Sequence, residues 1–188
     1  MDRYETLDLE CDVRGVLCIT LNRPEKKNAL SGDMISELTR MTVEIEADKD
    51  IRVAVLRGAG DVFCAGGDLG WMHQQIEADR EHRMLEARKL AYMLRALNKL
   101  SVPLIGMIHG GAFGGGVGMA CVCDIAIAED KTKFGLTETR LGLIPATISP
   151  YVIARIGEGK ARQVFMSARL FSAPEAKALD LVADHVPT

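Results

Sequence analysis

The chain has 188 residues, 48% hydrophobic and 26% charged, a make-up that fits one folded domain over residues 1–188 with a core of its own. A formal net charge of −3 argues against nucleic-acid binding driven by bulk charge, and no apolar run approaches the roughly 18 residues that a membrane span requires. The five cysteines form an odd set in or beside apolar runs, and residues 1–5 lack the basic and apolar parts of a signal peptide; both read as a cytoplasmic protein with reduced, mostly buried thiols.

Residues 4–9 and 13–21 are rich in apolar and β-branched side chains and predict an antiparallel hairpin. The polar segment 22–28 contains Pro24 and predicts a loop. Its cations Arg23, Lys26 and Lys27 are either a solvated surface or a clamp for an anionic group such as a phosphate. Ser31 fits a helix N-cap, and Met34, Ile35, Leu38, Met41, Thr42 and Ile45 keep helical spacing as far as about Glu46. A short strand follows at 53–56. Residues 61–70 then make a strand-to-glycine turn that ends on the carboxylate of Asp68. The longest helical pattern covers 71–98 and is stopped by Ser101-Val102-Pro103. Its basic residues between Arg80 and Lys99 predict a solvated helix face.

The next stretch dominates the reading. Residues 104–108 are apolar, six glycines fall in the nine positions 110–118, and a small-residue apolar run continues to 122. This predicts buried strand, glycine turn and buried helix. The first N–H groups of such a helix have no partner within it and face whatever lies over the turn. So many glycines favour a site over a plain turn. Two glycine turns, one at 61–70 and one here, would each be able to offer an N–H to the same oxygen.

A strand at 124–128, a surface turn at 129–133, helices at about 150–156 and 159–166, and a capping box at Ser172-Ala173-Pro174-Glu175 opening a last short helix complete the chain. Glu138 sits among apolar and small residues. Strands alternating with helices predict an α/β fold with mainly parallel pairing.

Several motifs are absent. The glycine stretch does not spell Gly-x-Gly-x-x-Gly, and there is no phosphate-binding loop of the NTPases, no His-Glu-x-x-His and no Gly-x-Ser-x-Gly. Cys121 and Cys123 lack a second pair at zinc spacing, so no metal is expected. His109, just before the glycines, reads as a structural residue at a strand end before it reads as a general base.

Five short motifs follow in order: Leu21-Asn22-Arg23-Pro24 with Asn28-Ala29-Leu30, Phe63-Cys64-Ala65-Gly66-Gly67-Asp68, Ala112-Phe113-Gly114-Gly115-Gly116, Cys123-Asp124-Ile125-Ala126, and Gly142-Leu143-Ile144-Pro145. Together they resemble the crotonase (enoyl-CoA hydratase/isomerase) superfamily over nearly the whole chain, from about residue 4 to 187. Residues 143–151 look most like bacterial methylglutaconyl-CoA hydratases.

The resemblance implies a ββα spiral that binds an acyl-CoA thioester, with no cofactor beyond the coenzyme A of its substrate. It puts the thioester oxygen between the N–H groups of Gly67 and Gly115. Ala65, Gly66 and Asp68 would lie along the CoA, and Arg23, Lys26 and Lys27 near its phosphates. The second of the family's two glutamates matches Glu138, while the first falls on Gly118, which leaves acid–base work to Glu138. The expected activity is hydration of a 2-enoyl-CoA, branched or carboxylated, such as 3-methylglutaconyl-CoA. Double-bond isomerisation, thioester hydrolysis, or non-catalytic binding of CoA or RNA are the alternatives. The C-terminal helices usual in the family are expected to be missing from the chain, and with them present a trimer or a dimer of trimers would follow.

Overall fold

The computed structural model describes residues 4–187. The chain opens with β1 (Leu7–Cys11) and β2 (Val16–Leu21), paired antiparallel from Leu7 opposite Leu21 to Cys11 opposite Leu17. The hairpin is as expected, but β1 starts and ends later than its composition indicated, because the register with the buried face of β2 decides its bounds. Cys11 is exposed at its end, unlike the buried Cys64, Cys121 and Cys123.

Helix α1 (Gly32–Ala47) carries the Ser31 side chain as its N-cap, accepting from the Met34 N–H. All six periodic side chains named from the sequence are buried under the sheet. Strand β3 (Val53–Gly58) runs parallel to β2.

The long helical pattern is in fact two helices, α2 (Leu69–Glu77) and α3 (Arg80–Asn98). Asp79 breaks it: its carboxylate accepts from the His82 N–H at 2.8 Å and starts a new helix. An aspartate that can cap competes with continuation of the helix it follows.

Strand β4 (Leu104–Ile108) leads into the glycine stretch, which holds a further short strand, β5 (Gly111–Phe113), before α4 (Gly115–Val122). Then come β6 (Ile125–Glu129), β7 (Lys133–Gly135), α5 (Ser149–Ile156), α6 (Glu158–Ser167), β8 (Leu170–Ser172), α7 (Ala173–Ala178) and β9 (Asp184–Val186). Ser172 caps α7 by accepting from the Glu175 N–H, but the Glu175 carboxylate pairs with Arg169 and does not close the capping box.

Six strands form one sheet in the order β1-β2-β3-β4-β6-β9, parallel from β2 onward, and β5, β7 and β8 form a second. Its members and β9 have three residues each, too few to show a period of two in a sequence. The glycine stretch leaves the large sheet at β4 and enters the small one at β5, so the turns after β3 and β4 lie where the two sheets meet. No helix among the described residues is long and apolar enough to cross a membrane.

Candidate active site

Three segments run side by side at this junction. The Leu30 N–H donates to the Gly66 carbonyl at 2.8 Å, and the Asp68 N–H donates to the Leu30 carbonyl at 2.9 Å. This parallel bridge straddles Gly67, so the N–H of Gly67 points away from Leu30. A second bridge joins Cys64 to Ala112, with N–H donation from Cys64 to the Gly111 carbonyl and from Phe113 to the Cys64 carbonyl.

Glycine is required at the contact. Gly66 has φ +97°, and a Cβ there would lie 2.9 Å from the Phe113 carbonyl oxygen and 3.8 Å from the Gly115 nitrogen. In α4 the first helical hydrogen bond is Gly118 N–H to the Gly114 carbonyl, which leaves the Gly115 N–H outside the helix ladder. Neither Gly67 nor Gly115 donates to an acceptor among the described residues, and both line one cavity of about 410 Å³.

Glu138 enters this cavity from a 3₁₀ turn (Glu138–Leu141) that follows β7. Its Oε1 would lie 3.0 Å from a Cβ on Gly114, so the carboxylate rests against the second glycine turn. Its Oε2 is buried without a hydrogen-bond partner among the described residues. Burial pushes the Glu138 carboxyl above the usual carboxylate range, against a smaller lowering by a backbone hydrogen bond. A carboxylate so placed is a proton acceptor with an unused lone pair facing an apolar space.

Gly118 is buried in α4, and the volume a side chain would need there is taken by Ile148. Ile148 is itself buried and lines the cavity. The place of a second carboxylate is therefore an apolar wall, which Met72, Ile76 and Leu90 extend.

The charged residues of the preceding loop separate into two groups. Arg23 is half-buried: its guanidinium donates to the Ala29 carbonyl and pairs with Asp68 at 3.1 Å. Asp68 also caps α2, accepting from the Gly70 and Trp71 N–H groups. Burial would raise the Asp68 carboxyl, but the Trp71 N–H and the Arg23 guanidinium bring it below the usual range. Lys26 and Lys27 remain exposed, and the Lys27 carbonyl accepts from the Ala65 N–H. Asn28, which opens the second half of the first motif, is fully buried and ties this loop down by donating to the Ala59 and Val62 carbonyls at 2.8 Å each.

His109 lies outside the cavity lining and bonds the Gly60 carbonyl through Nε2, a structural role. Cys121 and Cys123 are buried, and burial pushes both thiols up to about 12. Sequence reasoning missed the α2–α3 wall, where Trp71, Gln75, Arg83 and Glu86 face the cavity. Their spacing had read as an ordinary amphipathic surface, and no local signal marks them otherwise.

The family model described as "Enoyl-CoA hydratase/isomerase" matches residues 12–188. The chain belongs to the enoyl-CoA hydratase/isomerase family. Enoyl-CoA hydratase AFT6-1 of Alternaria alternata is 40% identical over 166 residues, covering 88% of this chain and 52% of that protein. The crystal structure of an enoyl-CoA hydratase from Shewanella pealeana superposes with a TM-score of 0.95 at 36% identity, over 98% of this chain and 69% of that one. Pseudomonas aeruginosa AtuE gives 0.94 at 41% identity, over 98% and 71%. The fold is thus the α/β crotonase fold. The chain spans between 52% and 66% of the length of the first curated relatives that it matches. Enzymes of this family use no cofactor beyond the coenzyme A of their substrate.

Proposed function

We propose that the chain carries the hydration site for a 2-enoyl-CoA. One observation carries the reading: the carboxylate of Glu138, with a buried oxygen, shares an apolar cavity with the backbone N–H groups of Gly67 and Gly115, all three without a partner among the described residues.

In this reading the two N–H groups hold the thioester oxygen. Glu138 takes a proton from water while the water oxygen bonds to Cβ. The C=C electron pair moves toward the thioester as an enolate, whose charge falls on the held oxygen. Donors placed for that charge are worth roughly 3 kcal/mol each. Glu138 then returns its proton to Cα, giving the 3-hydroxyacyl-CoA. One carboxylate serves both steps, as it must with Ile148 against Gly118. Lys26 and Lys27 would meet the CoA phosphates, the Arg23–Asp68 pair would fix the loop, and Ala65 and Gly66 would lie along the pantetheine.

The finer reading is a branched or carboxylated 2-enoyl-CoA such as 3-methylglutaconyl-CoA, supported by residues 143–151. A homo-oligomer, a trimer or dimer of trimers, and a cytoplasmic location go with it. Support for assembly comes from the exposed apolar side chains of Leu141, Ile144 and Met166. The lone carboxylate also favours a second reaction on the same site, double-bond isomerisation, in which Glu138 carries one proton from Cγ to Cα.

The test is loss of enoyl absorbance when the protein meets a panel of 2-enoyl-CoA thioesters. Turnover is expected, with a drop of about a hundredfold or more in Glu138→Gln. Unchanged turnover in that variant would remove Glu138 from the chemistry. Formation of a shifted alkene without a hydroxyl would favour isomerisation.

A further inference from the structure

Hydration asks two things of the water that Glu138 deprotonates. One O–H must reach the carboxylate, and the other must be held so that an oxygen lone pair faces the alkene. A water in a mostly apolar cavity keeps its place with about two to four polar partners, and Glu138 is one. The side that faces Gly118 supplies none from α4, because Ile148 fills the space there.

The segment that carries Glu138 brings a second polar group. Of its lining residues, 138 and 143–148, Glu138 and Thr147 have the polar side chains. The rest of the polar lining, Trp71, Gln75, Arg83 and Glu86, comes from α2 and α3. Thr147 immediately precedes Ile148, whose Cα, Cβ and Cγ2 lie 3.9, 2.9 and 2.5 Å from the position of a Cβ on Gly118. Gly118 is three residues along α4 from Gly115, on the same face of the helix. Thr147 is therefore anchored beside the place of the absent carboxylate, about one helical turn from the Gly115 amide. It is half-buried, so water reaches it, and its hydroxyl is not engaged by any protein group among the described residues. Access to water alone would not distinguish it; its position next to Ile148 and Gly118 does.

We infer that the Thr147 hydroxyl positions the nucleophilic water by accepting its second O–H. A hydroxyl oxygen can accept there while keeping its own proton. In the step, the water oxygen bonds to Cβ and one water proton passes to Glu138 and then to Cα. The other O–H stays with the oxygen as the new 3-hydroxyl group, beside Thr147. Thr147 neither gains nor loses a proton. This rests on the hydratase reading of the cavity, and it gives one side chain the part of a second carboxylate that holds water.

The experiment compares wild type, Thr147→Val and Thr147→Ser in two reactions, with products separated by chromatography. One is hydration of crotonyl-CoA. The other is isomerisation of 3-butenoyl-CoA to crotonyl-CoA, which needs Glu138 and the held thioester oxygen but no water. Thr147→Val keeps the shape and removes no internal hydrogen bond, and urea denaturation checks that it folds as wild type does. Its kcat for hydration is expected to fall about tenfold to a hundredfold, with KM within about twofold. Its isomerisation rate and its calorimetric affinity for butyryl-CoA should move by less than about twofold, so crotonyl-CoA accumulates from 3-butenoyl-CoA. Thr147→Ser should keep most of the hydration rate, because the hydroxyl is retained.

Two failures are told apart. Wild type may hydrate crotonyl-CoA while Thr147→Val hydrates it equally fast, loses both reactions in parallel, or is no slower than Thr147→Ser; each of these sinks the role of Thr147 and leaves the hydratase reading standing. A wild type that forms no hydration product sinks the hydratase reading and the role of Thr147 with it.

Discussion

Ile148 occupies the space that a side chain on Gly118 would enter, with its Cγ2 2.5 Å and its Cβ 2.9 Å from the position of a Cβ there. The two residues face each other across the contact between α4 and the start of α5. Each is fitted to the other, so neither changes freely.

A double-mutant cycle tests that fit. Gly118→Ala is expected to destabilise by about 1–3 kcal/mol through overpacking, even though alanine is the better helix former. In an Ile148→Ala background the same substitution costs much less. Urea denaturation of the four proteins measures the coupling, and additive effects would show that the contact is not felt.

Glu138 gives a pH signature in stability as well as in rate. Its folded carboxyl lies above the usual value because it is buried. The folded protein therefore holds that proton more tightly than the unfolded chain. The contribution of Glu138 is fully present below the unfolded value of about 4.3 and is lost as pH rises through the raised folded value. Glu138→Gln should melt higher than wild type at neutral pH, and the difference should vanish at low pH. Turnover should rise over the same raised pH range as the carboxylate becomes ionised. Melting scans and pH–rate profiles check both.

Trp71 is the only tryptophan of the chain, lines the cavity and hydrogen-bonds Glu86. Its fluorescence should therefore change when an acyl-CoA binds, with no added label. Glu86→Leu leaves the indole N–H unpaired and the Lys89 ammonium without its carboxylate. A loss of about 1–3 kcal/mol is expected, together with a shift of the emission maximum. Because the Glu86 carboxyl is held low by Lys89 and Trp71, its stabilising contribution persists above the unfolded carboxylate value and is lost as pH falls through the folded one. An emission maximum unchanged by Glu86→Leu would argue that the pair does not position the ring.

Lys26 and Lys27 are exposed beside the first glycine turn, whereas Arg23 already has Asp68 as a partner. Replacing both lysines by alanine should raise KM for a CoA thioester about two- to tenfold, with less effect at high salt. Asp68→Ala should act differently, lowering stability, since it removes the cap of α2 and strands the Arg23 charge. A titration of KM against ionic strength separates the two effects.

Much of this was legible in the chain. The periodic face of α1, the strands β2, β3 and β4, and both glycine turns follow from local pattern. Glu138 stood out because a carboxylate among apolar neighbours has few ordinary explanations. The break at Asp79 was hidden because a capping aspartate and a helical surface aspartate look alike until the chain bends. The partners of the site were hidden for a different reason. Ile148 meets Gly118, and Gln75 and Arg83 meet the cavity, only through packing of segments distant in sequence.

The bridges Leu30–Gly67 and Cys64–Ala112 set the amides of Gly67 and Gly115 with main chain alone. Substitution of a side chain cannot delete an N–H group short of introducing proline, although Gly66 and Gly115 themselves leave no room for a side chain. The other half depends on single side chains: Glu138, whose carboxylate enters the cavity, and Ile148, which walls it beside Gly118. On the proposed reading, a lineage built on this scaffold holds the same thioester while the identity of a few residues redirects what happens to its acyl chain.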